Sequence, residues 1–122
     1  MQAFLRASGL LAADEAPAAE ALAGGVSSDI WRVRPRGGAP IVVKQALARL
    51  RVAQVWEAPV ERNRFEWRWM EAACAAVPGA APRVLAHDEA GVFAMEDLGG
   101  LPLWKAELRD GRADPAFAAR VG

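Results

Sequence analysis

Ile41-Val42-Val43-Lys44 is a β-branched run that ends on a charge. Branching at Cβ favours extended backbone, and the run follows Pro35-Arg36-Gly37-Gly38-Ala39-Pro40, a turn by composition. Before that turn, Ile30-Trp31-Arg32-Val33-Arg34 alternates large apolar with basic residues, the period of a strand. Residues 30–45 therefore read as a β-hairpin. The lysine near its end is informative in itself. Of the fifteen basic residues only Lys44 and Lys105 are lysines. A compact ammonium and a planar guanidinium meet oxygen atoms differently, so lysine is the marked choice in this chain.

Outward from the hairpin, Met1 to Ala23 is rich in Ala and Leu and reads as helix, interrupted near Ser8-Gly9 and Ala16-Pro17 and ended by Gly24-Gly25. After a polar connection with Trp56 and Pro59, a strong helix is expected from about Val60 to Ala76, stopped by Val77-Pro78-Gly79. Residues 82–86 and 92–96 read as short strands around the turn His87-Asp88-Glu89-Ala90-Gly91. Leu98-Gly99-Gly100-Leu101-Pro102 reads as a joint. Asp114-Pro115 has the signature of an N-cap with Pro in the first turn, opening a helix that Gly122 cuts short. The pattern is α+β: an antiparallel sheet, one main packed helix and an N-terminal helical segment. Its unfinished last helix suggests the first lobe of a longer protein.

The chain has 122 residues, 53% of them hydrophobic, and is formally neutral. That suits one domain with its own core, or a piece of one. Neutrality leaves no electrostatic footprint for nucleic acid or an anionic membrane surface. Charged residues interrupt every apolar run before the roughly 18 residues that a membrane span needs. Residues 1–11 lack the charged start and continuous apolar core of a secretion signal, so a cytoplasmic protein is expected. One cysteine, Cys74, and one histidine, His87, exclude an internal disulfide and a Cys/His zinc site. Trp31, Trp67 and Trp69 are expected in the core, Cys74 as a buried thiol and His87 in a solvated turn.

On a helical wheel with Glu66 at zero, Met70 falls at about 40°, Ala73 at about −20°, Val77 at about 20° and Trp69 at about −60°. Glu66 thus sits on the apolar stripe, where a carboxylate is costly unless a cation meets it. Two partners suggest themselves: Arg62, one turn earlier, and Lys44, which shares a strand face with Val42. A strand lysine held by a helix acid is one way to place an ammonium on nucleotide phosphates, beside a glycine-containing loop. Gly24-Gly25-Val26-Ser27-Ser28-Asp29 occupies the position of such a loop, with backbone N–H groups and two hydroxyls for phosphate oxygens.

Val42-Val43-Lys44-Gln45-Ala46-Leu47, Leu50-Arg51-Val52, Trp56 and Glu61-Arg62-Asn63-Arg64-Phe65-Glu66 together resemble the aminoglycoside phosphotransferase superfamily, nearest its methylthioribose-kinase-like small-molecule kinases. The likeness continues through residues 78–85, 93–98 and 103–111, and covers about residues 20–122. It implies a kinase-like amino-terminal lobe with an antiparallel sheet of about five strands. Residues 1–23 would be the helical segment, 24–98 the nucleotide-binding lobe, and 99–122 the hinge and the start of a second lobe. ATP would be the phosphate donor and a small-molecule hydroxyl the acceptor. Lys44 would meet the α/β-phosphates with Glu66 as its partner (Glu61 in reserve), and Val26, Ser27, Ser28 and Asp29 would lie over them. Met95 would line the adenine pocket, while the Glu96 carbonyl and Leu98 N–H would bond the base. The family's His-Gly-Asp loop, its Asn and a later metal-binding Asp belong to the missing carboxy-terminal lobe, which would also hold magnesium. Here His87 is followed directly by Asp88, and Asp97-Leu98-Gly99 comes too early for a metal-binding motif. No catalytic or metal residue is therefore expected in this chain, which would be inactive alone. The alternatives are a non-catalytic kinase-like module for nucleotide sensing or protein interaction, and an unrelated α+β domain in which Lys44 and Glu66 are a structural pair.

Overall fold

A computed structural model describes residues 1–23 and 25–121. Along the chain run α1 (Gln2–Ala7), β1 (Ala18–Ala21), β2 (Ser28–Arg34), β3 (Ile41–Ala46), α2 (Arg62–Ala76), β4 (Val84–His87), β5 (Val92–Glu96), α3 (Trp104–Arg109) and α4 (Pro115–Val121). The five strands form one antiparallel sheet in the order β1-β2-β3-β5-β4. The fold is that of a kinase-like amino-terminal lobe, α+β with its main helix on the sheet.

Register assigns the two faces. Ile30 stands opposite Lys44, Arg32 opposite Val42, Val42 opposite Met95, and Lys44 opposite Phe93. Directly paired residues share a face, so Ile30, Arg32, Val42, Lys44, Phe93 and Met95 line one side. That side carries α2, with a core of Met70, Ala81 and Phe93 flanked by Trp67, Ala73, Cys74 and Val84. The opposite side presents Val33, Ile41, Val43, Val92 and Ala94, which pack with Leu5 and Leu11 of the amino-terminal segment. Glu15 is buried there and accepts the N–H groups of Ala12 (3.3 Å) and Arg36, tying that segment to the β2–β3 turn.

The segment before the glycine-containing loop departs from expectation. Helix stops at Ala7, and residues 18–21 become the outer strand of the sheet. Pro17 blocks helix continuation, and the free edge of β2 offers Ala18–Ala21 backbone partners that helix propensity cannot outweigh. Just beyond the strand, the Leu22 N–H donates to the Ile30 carbonyl at 2.8 Å. The segment is therefore a short helix packed on one face of the sheet and a short strand at its edge. Helix α3 is an element the sequence reading did not contain. The expected cap at Asp114 is present, its Oδ1 accepting the Phe117 N–H at 2.9 Å. Among the described residues no helix is long and apolar enough to cross a membrane. Gly24 and Gly122, which entered the readings of the loop and of the chain end, lie outside the described residues.

Candidate functional site

Strand β3 ends its apolar run on Lys44, and the pleat turns that side chain toward α2. Lys44 Nζ donates to both carboxylate oxygens of Glu66 at 2.6 Å. The two side chains are 17% and 35% exposed, so the pair is screened on the sheet side and wet on the other. Of the two candidate partners for Glu66, the structure selects Lys44. Arg62 is engaged elsewhere: Nη1 donates to the carbonyls of Ala58 (3.0 Å) and Pro59 (2.7 Å), and Nη2 to those of Leu47 (2.7 Å) and Ser27.

Helix α2 is rotated from the expected stripe. Asn63 and Met70 are buried, Trp67 and Cys74 partly so, and Trp69 is 64% exposed along with Phe65. On the same wheel the buried centre lies about 50° from Glu66, which moves that carboxylate to the flank. Two long-range contacts set the rotation. Asn63 Nδ2 donates to the Gly91 carbonyl at 2.8 Å, and the Trp67 ring stacks on His87 at 3.7 Å between centroids. Trp69 is thus corrected from core to surface. His87 is exposed as expected, but it is the last residue of β4 and stacks on Trp67 rather than standing in the turn. Cys74 Sγ lies 3.1 Å from the Ala81 carbonyl.

The glycine-containing loop joins β1 to β2. Gly25 has no alternative there, because a Cβ would stand 2.3 Å from the Ser28 carbonyl oxygen. The Val26 carbonyl accepts the Arg51 N–H at 2.8 Å, and the Ser27 carbonyl accepts the Leu47 N–H at 3.0 Å as well as Arg62. Among the described residues no acceptor meets the N–H of Val26 or Ser27. Ser28 and Asp29 already belong to β2. The Ser28 hydroxyl is buried with no partner among the described residues, and Asp29 is held by Arg51. Of the two loop hydroxyls only that of Ser27 is available outside.

Beside Lys44, where α2 leaves the face uncovered, lies a cleft of about 450 Å³, a size suited to a small organic ligand. Leu22, Ile30, Val42, Met95 and Leu98 form its apolar wall, with Glu96 and Asp97 at its rim. Met95, Glu96 and Leu98 all line it, as does Val42, two residues along β3 from Lys44. At the same rim Arg32 Nε donates to Asp97 Oδ2 at 2.7 Å, with Glu20 at 3.7 Å. The hydrogen bond to Asp97, and the charge attraction behind it, raise the Arg32 guanidinium above its ordinary value, so it stays charged. Asp97 is engaged on both oxygens, since Oδ1 also accepts the Gly99 N–H at 3.0 Å. Sequence reading missed the Arg32–Asp97 pair. The i, i+2 relation of Arg32 to Ile30 in an alternating strand was the available signal. Among the described residues no three His, Cys, Asp or Glu side chains converge to hold a metal ion.

An antiparallel five-stranded sheet, a packed helix and a strand lysine held by a helix glutamate define a kinase-like amino-terminal lobe. The chain is methylthioribose-kinase-like in sequence. It is 32% identical over 108 residues to the methylthioribose kinase of Pectobacterium carotovorum, a match covering 86% of this chain and 27% of that protein. It is 31% identical over 107 residues to that of Pectobacterium atrosepticum, with 85% and 27% covered. Against the methylthioribose kinase of Yersinia pseudotuberculosis it is 31% identical over 96 residues, with 76% and 24% covered. The chain spans about a quarter of the length of these curated relatives. No family model matches it.

Proposed function

We propose that this chain is the nucleotide-binding lobe of an ATP-dependent kinase that phosphorylates a hydroxyl group of a small molecule. The observation that carries the reading is the Lys44–Glu66 pair on the same sheet face as an apolar cleft, one of whose lining residues, Ile30, stands directly opposite Lys44. A fixed ammonium beside a flat apolar slot suits a ligand with an aromatic base at one end and phosphates at the other.

In this reading Lys44 meets the α- and β-phosphates, and Glu66 keeps its ammonium aimed at them. Residues 26–29 approach the phosphates through backbone N–H groups and the Ser27 hydroxyl. Ile30, Val42 and Met95 lie against one face of the base, while the Glu96 carbonyl and the Leu98 N–H bond its edge. Residues 24–98 carry this site and 99–122 lead toward a second lobe. Magnesium, when bound to the triphosphate, neutralises phosphate charge. Its ligands and the group that positions the acceptor hydroxyl would come from outside these 122 residues, and this chain alone would transfer no phosphate.

The test is titration of the chain with ATP, followed by NMR shifts or calorimetry. Binding near the millimolar range, about −4 kcal/mol, is expected, with Lys44→Ala removing it. Tight magnesium-dependent binding by this chain alone would refute the reading. The same substitution in the longer protein is expected to abolish phosphate transfer.

A further inference from the structure

Among the described residues no side chain makes more hydrogen bonds than Arg62, and none of its partners is an acid. Its guanidinium collects four carbonyls from three separate segments: Ala58 and Pro59 before α2, Leu47 after β3, and Ser27 in the glycine-containing loop. We infer that Arg62 is a positioning residue that orients the loop peptides so that their N–H groups face the phosphates. The inference rests on the nucleotide-binding reading above.

The geometry follows from the planarity of the peptide. In a trans peptide the carbonyl of one residue and the N–H of the next point in opposite directions, and no described peptide here is cis. Arg62 and the Leu47 N–H fix the Ser27 carbonyl, so the Ser28 N–H points away from them. The Arg51 N–H fixes the Val26 carbonyl, so the Ser27 N–H points away from Arg51. Two successive N–H groups are thereby turned outward from the inner side of the loop, an arrangement that suits an anion. Among the described residues the Val26 and Ser27 carbonyls are otherwise held by backbone N–H groups of the segment after β3, so the guanidinium is the hydrogen-bonded link from the loop to α2. Glu66, one turn further along α2, holds Lys44. One helix thus sets both the loop and the ammonium.

A guanidinium can fork to several carbonyls, whereas an ammonium offers a single point. Arg62→Ala and Arg62→Lys are compared with the parent chain and with Arg64→Ala, an exposed neighbour on the same helix. The readouts are amide hydrogen exchange at Leu47 and Arg51 and NMR titration with ATP, tripolyphosphate and adenosine. Arg62→Ala is expected to speed exchange at Leu47 and to weaken ATP and tripolyphosphate by about threefold to tenfold, the worth of roughly one hydrogen bond. Adenosine, which has no phosphate, should bind as before. Arg62→Lys should fall between, and it keeps the test open if Arg62→Ala does not fold. Equal loss for adenosine and ATP would mean a merely structural role, and unchanged ATP affinity in both variants would overturn the inference. If the parent binds ATP and Lys44→Ala abolishes it, the nucleotide reading survives either result. If the parent binds neither ATP nor tripolyphosphate, both fall.

Discussion

Replacing Lys44 by methionine and Glu66 by glutamine, singly and together, isolates the pair at the centre of the site. Methionine keeps most of the lysine stem and its apolar contacts, so the difference reports chiefly the ammonium. Two limits bracket the cost. Exposed ion pairs contribute about 0–1 kcal/mol, whereas breaking a buried one costs about 3–5 kcal/mol. With side chains 17% and 35% exposed, Lys44 and Glu66 lie between the limits. Both hydrogen bonds are short and charge-assisted, which favours the upper half. The exposed flank of Glu66 lets water replace part of what is lost, which favours the lower. Each single substitution is therefore expected to cost about 1–3 kcal/mol, and the coupling energy should be about 1–2 kcal/mol. In a chain of this size each kcal/mol lowers the melting temperature by about 3–6 °C. The assay is urea unfolding of all four proteins, with a second cycle on Arg62 and Glu66 as the control. Additivity of Lys44 and Glu66 within about 0.3 kcal/mol, together with strong coupling of Arg62 to Glu66, would refute the pairing.

Gly91→Ala places a Cβ at φ +78° and 2.6 Å from the Val60 carbonyl oxygen, so it should destabilise the lobe by about 1–3 kcal/mol in thermal unfolding. Asp97→Ala removes both acceptors of Arg32 at the cleft rim. It should lower the melting temperature and weaken adenosine more than tripolyphosphate, which paired titrations would show. Leu5→Ala truncates a fully buried side chain of α1 and should cost about 2–5 kcal/mol in urea unfolding. A cost below about 0.5 kcal/mol would mean that the amino-terminal segment is an appendage rather than part of the core.

Apart from the Lys44–Glu66 pair, what could be read from the sequence was short in range. The hairpin of residues 28–46 follows from β-branching and a Pro/Gly turn, and Lys44 stood out because arginine is the rule around it. Ala18–Ala21 was illegible for the opposite reason. Ala-Ala-Glu-Ala favours helix locally, and only the edge of β2 makes it a strand. The rotation of α2 was hidden too. A wheel weighs Trp69 as apolar, but cannot know that Asn63 reaches Gly91 and Trp67 reaches His87. Local spacing likewise offers Arg62 to Glu66, yet carbonyls up to 35 residues away hold it. The rotation of α2 and the contacts of Arg62 belong to one element. Arg62, Asn63, Glu66 and Trp67 lie within two turns of α2 and anchor it to the loop, the β4–β5 turn, the lysine strand and β4 respectively. A rigid helix cannot satisfy all four independently, because the fixed rise and rotation per residue set their mutual offsets. The orientation that buries Asn63 and stacks Trp67 therefore also decides where the ammonium of Lys44 and the loop beside it are held.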